Sequence, residues 1–425
     1  MSSRQDRLEL VNAVTGDRLD TWESAEVSSD FLTPCDSFRF DAGSDVAPVE
    51  IARMFPPGSQ VIVRALLEEG REAVLLDGVV DSVRLRSGRG GRFCSVAGRD
   101  FLGRVVDSNV DPRMALPKPP TVEKLVDAVL KQQFGLDYSQ VETNERTKQA
   151  IGPRLGRRPP KPPKKPSRRK RTAPVNDATP RDNEGAFSYL QRLLTTHGYH
   201  LWAARSPENR YVVVSGPDYT QDPFYSIRTR RGPAGAANNI KTAELVLDET
   251  GVPSHVFVKG SMYGTGDRRR LVANASNPVA SSFKPVYLVD QKAKDRESTE
   301  RIAKAFIARQ LRGYVQYNVQ VEGMVDAETG AVYCVDTMVD VADDDLGVYG
   351  LMWTESCTLR KGRGGTTTDL KLLPPNTLVL DWQPDEQIEA AIDYATALAQ
   401  ATGVKSFAKT KEFQYKGVTL LRPKK

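Results

Sequence analysis

Short apolar runs broken by turn residues fill residues 1–110, and that spacing leaves room for little except a small β-sandwich or barrel. Leu8, Leu10, Ala13 and Val14 lead into the turn Gly16-Asp17. A second run carries Trp22, Val27, Phe31, Phe38 and Phe40, interrupted by Pro34 and closed by Gly43. Val61-Ile62-Val63 and Val74-Leu75-Leu76 flank the charged turn Glu68-Glu69-Gly70-Arg71, the pattern of a hairpin. Val79, Val83 and Leu85 then alternate with polar residues up to SGRGG at 87–91, after which Phe93, Ser95 and Ala97 return.

The period changes after Pro117, Pro119 and Pro120. Thr121 can cap a helix with Val122, Leu125, Val126, Val129 and Leu130 on one face, ending near Gly135. A second amphipathic helix carries Phe187, Leu190, Leu194 and His197 and stops at Gly198, and a strand follows over 211–214. From about 240 the strand pattern resumes at Leu245 and Leu247, 255–258, 286–289, 314–321, 331–335, 352–359 and 369–373. One helix interrupts it over 298–311, with Ile302, Ala305 and Phe306 on one face. A last helix is predicted over 385–400, striped by Ile388, Ala391, Ile392, Ala395 and Ala399 and stopped by Gly403. No short-period repeat is visible, although two β-rich sections of similar length flank a mixed middle.

Charge is unevenly spread. The chain has 60 Lys+Arg against 54 Asp+Glu, a net +6. Residues 153–171 (PRLGRRPPKPPKKPSRRKR) hold ten of the bases and no acid, so without them +6 becomes −4. The six prolines of this strap forbid a helix and favour an extended, stiff conformation. Three roles compete for it: a solvated linker, a strap lying on an acidic protein surface, or a nucleic-acid contact. The absence of interleaved aromatic residues disfavours the last. Its candidate contact residues are Arg157, Arg158, Lys161, Lys164, Lys165, Arg168, Arg169, Lys170 and Arg171.

Evidence for chemistry is sparse. No apolar stretch approaches the ~20 residues that span a bilayer, and the N-terminus lacks the basic and apolar regions of a secretory signal. The 4 Cys (Cys35, Cys94, Cys334, Cys357) form no CxxC pair, so reduced thiols are expected rather than a disulfide framework or a zinc site. The 3 His form no metal motif. SGRGG (87–91) and KGSMYGTGD (259–267) lack the Lys-Ser/Thr of a phosphate loop and are read as hairpin turns. The acidic cluster Asp336, Asp340, Asp343, Asp344 and Asp345 does not fit a calcium loop and is read as a solvated loop between strands. No nucleophile elbow appears. Catalytic, cofactor and metal residues are therefore predicted to be absent, and with them any enzymatic role.

The order of segments resembles the baseplate hub proteins of contractile-tailed bacteriophages, in particular the Mu-type hub, related to the hub portion of type VI secretion spike proteins. LELVNAVTGDRLDTWESAEVSSDFLTPCDSFRFDAG resembles the first barrel strands of that family, and VAGRDFLGRVVDSNV (96–110) resembles its step out of the first barrel. TVEKLVDAVLKQQFGL (121–136) and the unit at 183–228 resemble the following helix and helix-strand segments; the second barrel is matched more loosely over 255–380. The strap at 152–182 and the tail beyond 380 depart from the pattern.

The resemblance implies an α+β, mainly β chain with two tail-tube-like β-barrel domains, a mixed α/β middle region and a C-terminal helical extension. The expected boundaries are 1–112 for the first barrel, 113–151 and 183–239 for the middle, 152–182 for the strap, 240–380 for the second barrel and 381–425 for the extension. It also implies a virion protein of the tail baseplate, assembled in the host cytoplasm without membrane insertion. Its task would be structural: a homotrimeric adaptor joining the hexameric tail tube to the trimeric central spike and lining the DNA channel. Partners would be its own copies, the tube and spike proteins, wedge and tape-measure proteins, and DNA in transit only. The reading from a different class is a nucleic-acid-binding protein acting through 153–171, and a wall-degrading hub is disfavoured because no hydrolase-sized segment remains after 380.

Overall fold

The computed structural model describes residues 7–43, 47–67, 70–89, 91–114, 122–136, 179–195, 200–204, 211–219, 221–229, 238–260, 272–277, 280, 282–290, 296–327, 329–375, 377–378, 413–415 and 418–420. The chain is mainly β. Its contacts separate into two units: 1–216 with 323–335 and 356–369, and 217–322 with 336–355 and 370–425.

The first unit opens with β1 (Arg7–Asn12), β2 (Arg18–Leu19), β3 (Ser24–Asp30), β4 (Ser37–Ala42), helix α1 (Pro48–Met54), β5 (Gln60–Leu66), β6 (Glu72–Gly88) and β7 (Gly91–Asp100). They hydrogen-bond in the order β3-β4-β7-β6-β5-β1-β2, every contact antiparallel. Strict alternation of buried with half-buried or exposed residues in β3 and β4 gives the sheet one apolar face, on which Val27, Phe38 and Phe40 meet. The expected hairpins at Gly70 and at SGRGG form as read. The second is long: Gly88 stands opposite Gly91, whose φ of 115° is open only to glycine. A register shift between Val80 and Ser82 bends this ribbon, and Gly98 has no room for a Cβ, which would lie 2.1 Å from the Val79 carbonyl.

Beyond β7 a second apolar cluster forms among α2 (Gly103–Val106), α3 (Val122–Val126), α4 (Ala186–Thr195) and β8 (His200–Ala204), the last paired antiparallel with β9 (Tyr211–Ser215). The stripe predicted from Leu125, Val126, Val129 and Leu130 is buried here. The helix does not remain α-helical, however: Asp127–Gln133 widen into a π-helix. Gln133 at its end accepts from the Asp111 N–H at 3.2 Å and donates to the Asn109 carbonyl at 2.7 Å. Gly135, at φ 59°, then ends the helix.

The second unit contains β10 (Tyr225–Thr229), β11 (Ile240–Leu247), β12 (His255–Gly260), β13 (Val272–Ser276), β14 (Pro285–Asp290), α5 (Arg296–Leu311), β15 (Val315–Glu322) and β16 (Met338–Asp343). Two long strands divide between the units: β17 (Val348–Gly362) changes unit after residue 355, and β18 (Gly365–Leu373) after residue 369. A short hairpin of β19 (Phe413–Tyr415) and β20 (Val418–Leu420) adds to β17 at Tyr349 and Gly350. The order β11-β15-β18-β17-β16-β10 repeats that of β3-β4-β7-β6-β5-β1, except that β10 runs parallel to its neighbour. Where the first series has the loop 31–36 between β3 and β4, the second inserts a subdomain: the sheet β13-β12-β14 with α5 packed on one face.

Several expectations fail in this unit. Residues 331–335 form no strand: within the first unit Val332 makes an isolated bridge to Val325, the Tyr333 N–H donates to the Met324 carbonyl at 3.1 Å, and Cys357 Sγ donates to the Tyr333 carbonyl at 3.3 Å. The face of α5 that is buried is Thr299, Ala303, Ile307 and Leu311, whereas Ile302, Ala305 and Phe306 lie half-buried at its margin. The acidic cluster is not a solvated loop: residues 338–343 are a strand, and Asp336 and Asp343 are fully buried. The predicted helix over 385–400, His197 and most of KGSMYGTGD lie outside the described residues.

Candidate functional site

Three places can carry function: the buried carboxylates, an exposed aromatic face, and the two long hairpins. The carboxylates are absorbed by the fold. Asp336, at φ 60°, accepts from Trp353 Nε1 at 2.8 Å and the Asp218 N–H at 3.3 Å, while its own N–H donates to the Thr354 carbonyl. Asp343 accepts from Tyr317 Oη at 2.7 Å and from the N–H groups of Asp345 and Leu346, so it closes the β16–β17 turn. Burial, and then Asp343, push the Tyr317 phenol well above its ordinary range. Asp340 pairs with Arg228, and the fully buried Glu355 pairs with Arg312 and with Lys371 at 3.0 Å. These contacts belong to the frame, and among the described residues no group of three His, Cys, Asp or Glu is arranged to hold a metal ion.

The aromatic face belongs to the inserted sheet. Val256 and Val258 point to α5, so the alternation of β12 and β14 turns His255, Phe257 and Tyr287 the other way. Phe257 and Tyr287 stack at 5.1 Å between centroids, and Phe283 lies 5.5 Å from His255. Phe283 and Tyr287 are 73% and 72% exposed, an unusual state for aromatic side chains.

The hairpins share a motif that the two β-rich sections hide. LRSGRGG at 85–91 and LRKGRGG at 359–365 differ in one residue, and each closes a ribbon with its last glycine at positive φ, 115° at Gly91 and 99° at Gly365. A second motif is also doubled: SAEVSSD (24–30) is β3 and TAELVLD (242–248) is β11 with its following turn. Their carboxylates do the same local work, since Asp30 accepts from the Leu32 N–H and Asp248 from the Thr250 N–H, both at 2.7 Å.

The hairpins differ in what lies beside them. Within the first unit, the end of β17 runs antiparallel to β3, with Leu359 opposite Val27 and Arg360 opposite Glu26. Leu359 and Val27 are fully buried there, and Arg360 Nε reaches Glu26 Oε2 at 3.1 Å. Ser28 and Thr358 join their hydroxyls at 3.0 Å. The matching end of β6 has β7 on one side and no strand on the other among the described residues. Leu85 is 49% exposed, and Arg84, Arg86, Arg89 and Arg92 form no ion pair among the described residues. At the base of this ribbon Arg99 pairs with Asp81 and Asp107, each at 2.6 Å, which holds Asp107 below the usual carboxylate range.

Every strap residue singled out from the sequence, Arg157 to Arg171, lies outside the described residues. What the sequence reading missed is the paired motif, and that signal was present in the residues themselves.

The fold defined by this doubled strand order is that of phage tail proteins. The chain matches a tail protein from Neisseria meningitidis at 20% identity and a TM-score of 0.68, covering 88% of this chain and 98% of that one. It matches the 43 kDa tail protein of prophage MuSo2 from Shewanella oneidensis at 16% identity and 0.66, covering 88% and 99%. It also matches an Escherichia coli component of the type VI secretion system at 10% identity and 0.51, covering 90% and 77%; that protein is described as similar to T4 tail proteins. No protein-family model and no curated protein sequence matches the chain. No helix among the described residues is long and apolar enough to cross a membrane.

Proposed function

We propose that this chain is a structural hub of a phage tail baseplate: a homotrimeric adaptor that joins a hexameric tail tube to a trimeric central spike and lines the channel for DNA. The observation that carries the reading is the doubling of one strand order, with its edge strand and its hairpin, inside a single chain. Three such chains offer six copies of one element to the tube and three whole chains to the spike, which is what a change from sixfold to threefold contact demands. On this reading the doubled elements belong to tube-like barrels at 1–112 and 240–380, with the α/β middle at 113–151 and 183–239 between them lending β10 (Tyr225–Thr229) to the second series. The extension 381–425 and the strap 152–182 serve contacts with other baseplate proteins, and the strap's bases face Asp/Glu. Closing barrels into a ring also hides edge strands that would otherwise pair without control. No step of this work is catalytic, and the chain resides in the virion.

Light scattering on the purified protein, alone and with its tube and spike proteins, tests the reading. A trimer in at least one of these states is expected; a monomer in all of them overturns it. Binding to DNA that weakens with salt and disappears on deleting 153–171 would instead favour a nucleic-acid role.

A further inference from the structure

We infer that the free ribbon of β6 and β7 pairs with the free edge of β11 in a second copy of the chain, residue for residue as β17 pairs with β3. The inference rests on the trimeric reading above and goes beyond it by naming the surfaces and their register.

The template is the closed junction inside the first unit. There LRKGRGG lies against SAEVSSD, with Leu359 opposite Val27, Arg360 opposite Glu26 and Lys361 opposite Ala25. Among the described residues the other copies of the two motifs, LRSGRGG and TAELVLD, have no strand at the corresponding edge: β11 ends its sheet, bonded on one side to β15. Aligning motif on motif places Leu85 opposite Leu245, Arg86 opposite Glu244 and Ser87 opposite Ala243 of the other copy.

Three observations converge on this pairing. Leu359 is at 0% exposure in the closed junction and its twin Leu85 at 49%, while Val27 is at 0% and its twin Leu245 is half-buried. Leu247, on the unpaired edge, is 46% exposed. Charge is complementary at the same register: Arg86 forms no ion pair among the described residues, and Glu244 is exposed and accepts from Asn318 Nδ2 at 3.3 Å. The partner strands also agree, since Glu244 stands opposite Asn318 as Glu26 stands opposite Arg39. An exposed edge with apolar residues invites pairing, and here one strand of matching motif is supplied by the same chain. A single chain cannot satisfy both copies through one junction, whereas a closed ring of chains leaves no free edge.

Charge exchange tests it. Arg86→Glu and Glu244→Arg should each weaken self-association at least tenfold, measured by sedimentation with the tube and spike proteins present where they are needed for assembly. The double variant should recover most of the loss. As a readout that does not depend on electrostatics, Arg86→Cys with Glu244→Cys should give covalently linked chains under mild oxidant, with the unmodified protein as the control for its native thiols. Circular dichroism of each variant confirms the fold. If the wild type trimerises but both single exchanges leave association unchanged and the cysteine pair does not link, the register proposed here is wrong while the hub reading stands. If the wild type never self-associates, both fall.

Discussion

Two hairpins built on nearly the same seven residues end in different surroundings. The ribbon of β17 and β18 is sealed along β3 and buries Leu359, while the ribbon of β6 and β7 leaves Leu85 half in water. The glycines account for the turns, since both ribbons need a residue at positive φ, and LRxGRGG supplies it in either place. The motif does not account for the seal. Burial depends on whether a strand with an acid at the right register lies alongside, so the contrast separates what a local sequence dictates from what its neighbour provides.

The largest effect that can sharpen this contrast lies just before each ribbon. Glu355 is fully buried between Arg312 and Lys371, whereas Asp81, at the matching distance from its motif, is 40% exposed beside Arg99. Glu355→Gln leaves two cations facing a neutral amide and should cost about 3–5 kcal/mol in urea unfolding, whereas Asp81→Asn should cost about 1 kcal/mol or less. Equal costs would break the distinction between a sealed and an open ribbon.

A smaller difference is expected at the leucines. Leu359→Ala should destabilise the unassembled chain by about 2–5 kcal/mol, because it empties a buried site. Leu85→Ala should change the same measurement by about 0.5 kcal/mol or less. A small effect belongs to the ion pair across the junction: Glu26→Gln, which leaves the Arg360–Asp369 pair in place, should cost about 0.2–1 kcal/mol in denaturant unfolding at low salt, since both Arg360 and Glu26 keep about half their surface in water, at 51% and 47%. A loss well above that range would mean the pair acts as a buried one.

Much of the frame was legible in the residues. The alternation of β3 to β7, the turn at SGRGG and the stripe Leu125, Val126, Val129 and Leu130 all reappear as read. The π-helical tail of that stripe was not legible, because it rests on Gln133 bridging to Asn109 and Asp111 across a loop. Strand β16 was hidden by its acids. Asp340 and Asp343 look solvated in a sequence, yet Arg228, Tyr317 and two backbone N–H groups take them up. Strand β13, rich in Ala, Asn and Ser, has little β-propensity of its own and is held by β12. The strap's candidate contact residues lie outside the described residues, and the doubled motifs are inconspicuous in the sequence for a geometric reason. The inserted subdomain lies between TAELVLD and LRKGRGG, so the two motifs are not separated alike in the two copies and a search at fixed period passes over them.

That same insertion has a further consequence. Between β11 and β15 the second copy carries a whole helix-backed sheet, with Phe283 and Tyr287 on its outer side, where the first copy has only the loop 31–36. The duplicated elements are therefore twins at their strand edges and strangers in silhouette. In a ring of three chains, a partner that grips strand edges would count to six, and one that grips the aromatic outcrop would count to three. On the proposed trimeric reading, such an outcrop would turn a repeated fold into an alternating one, so that a ring of three chains would present two rotational symmetries at once.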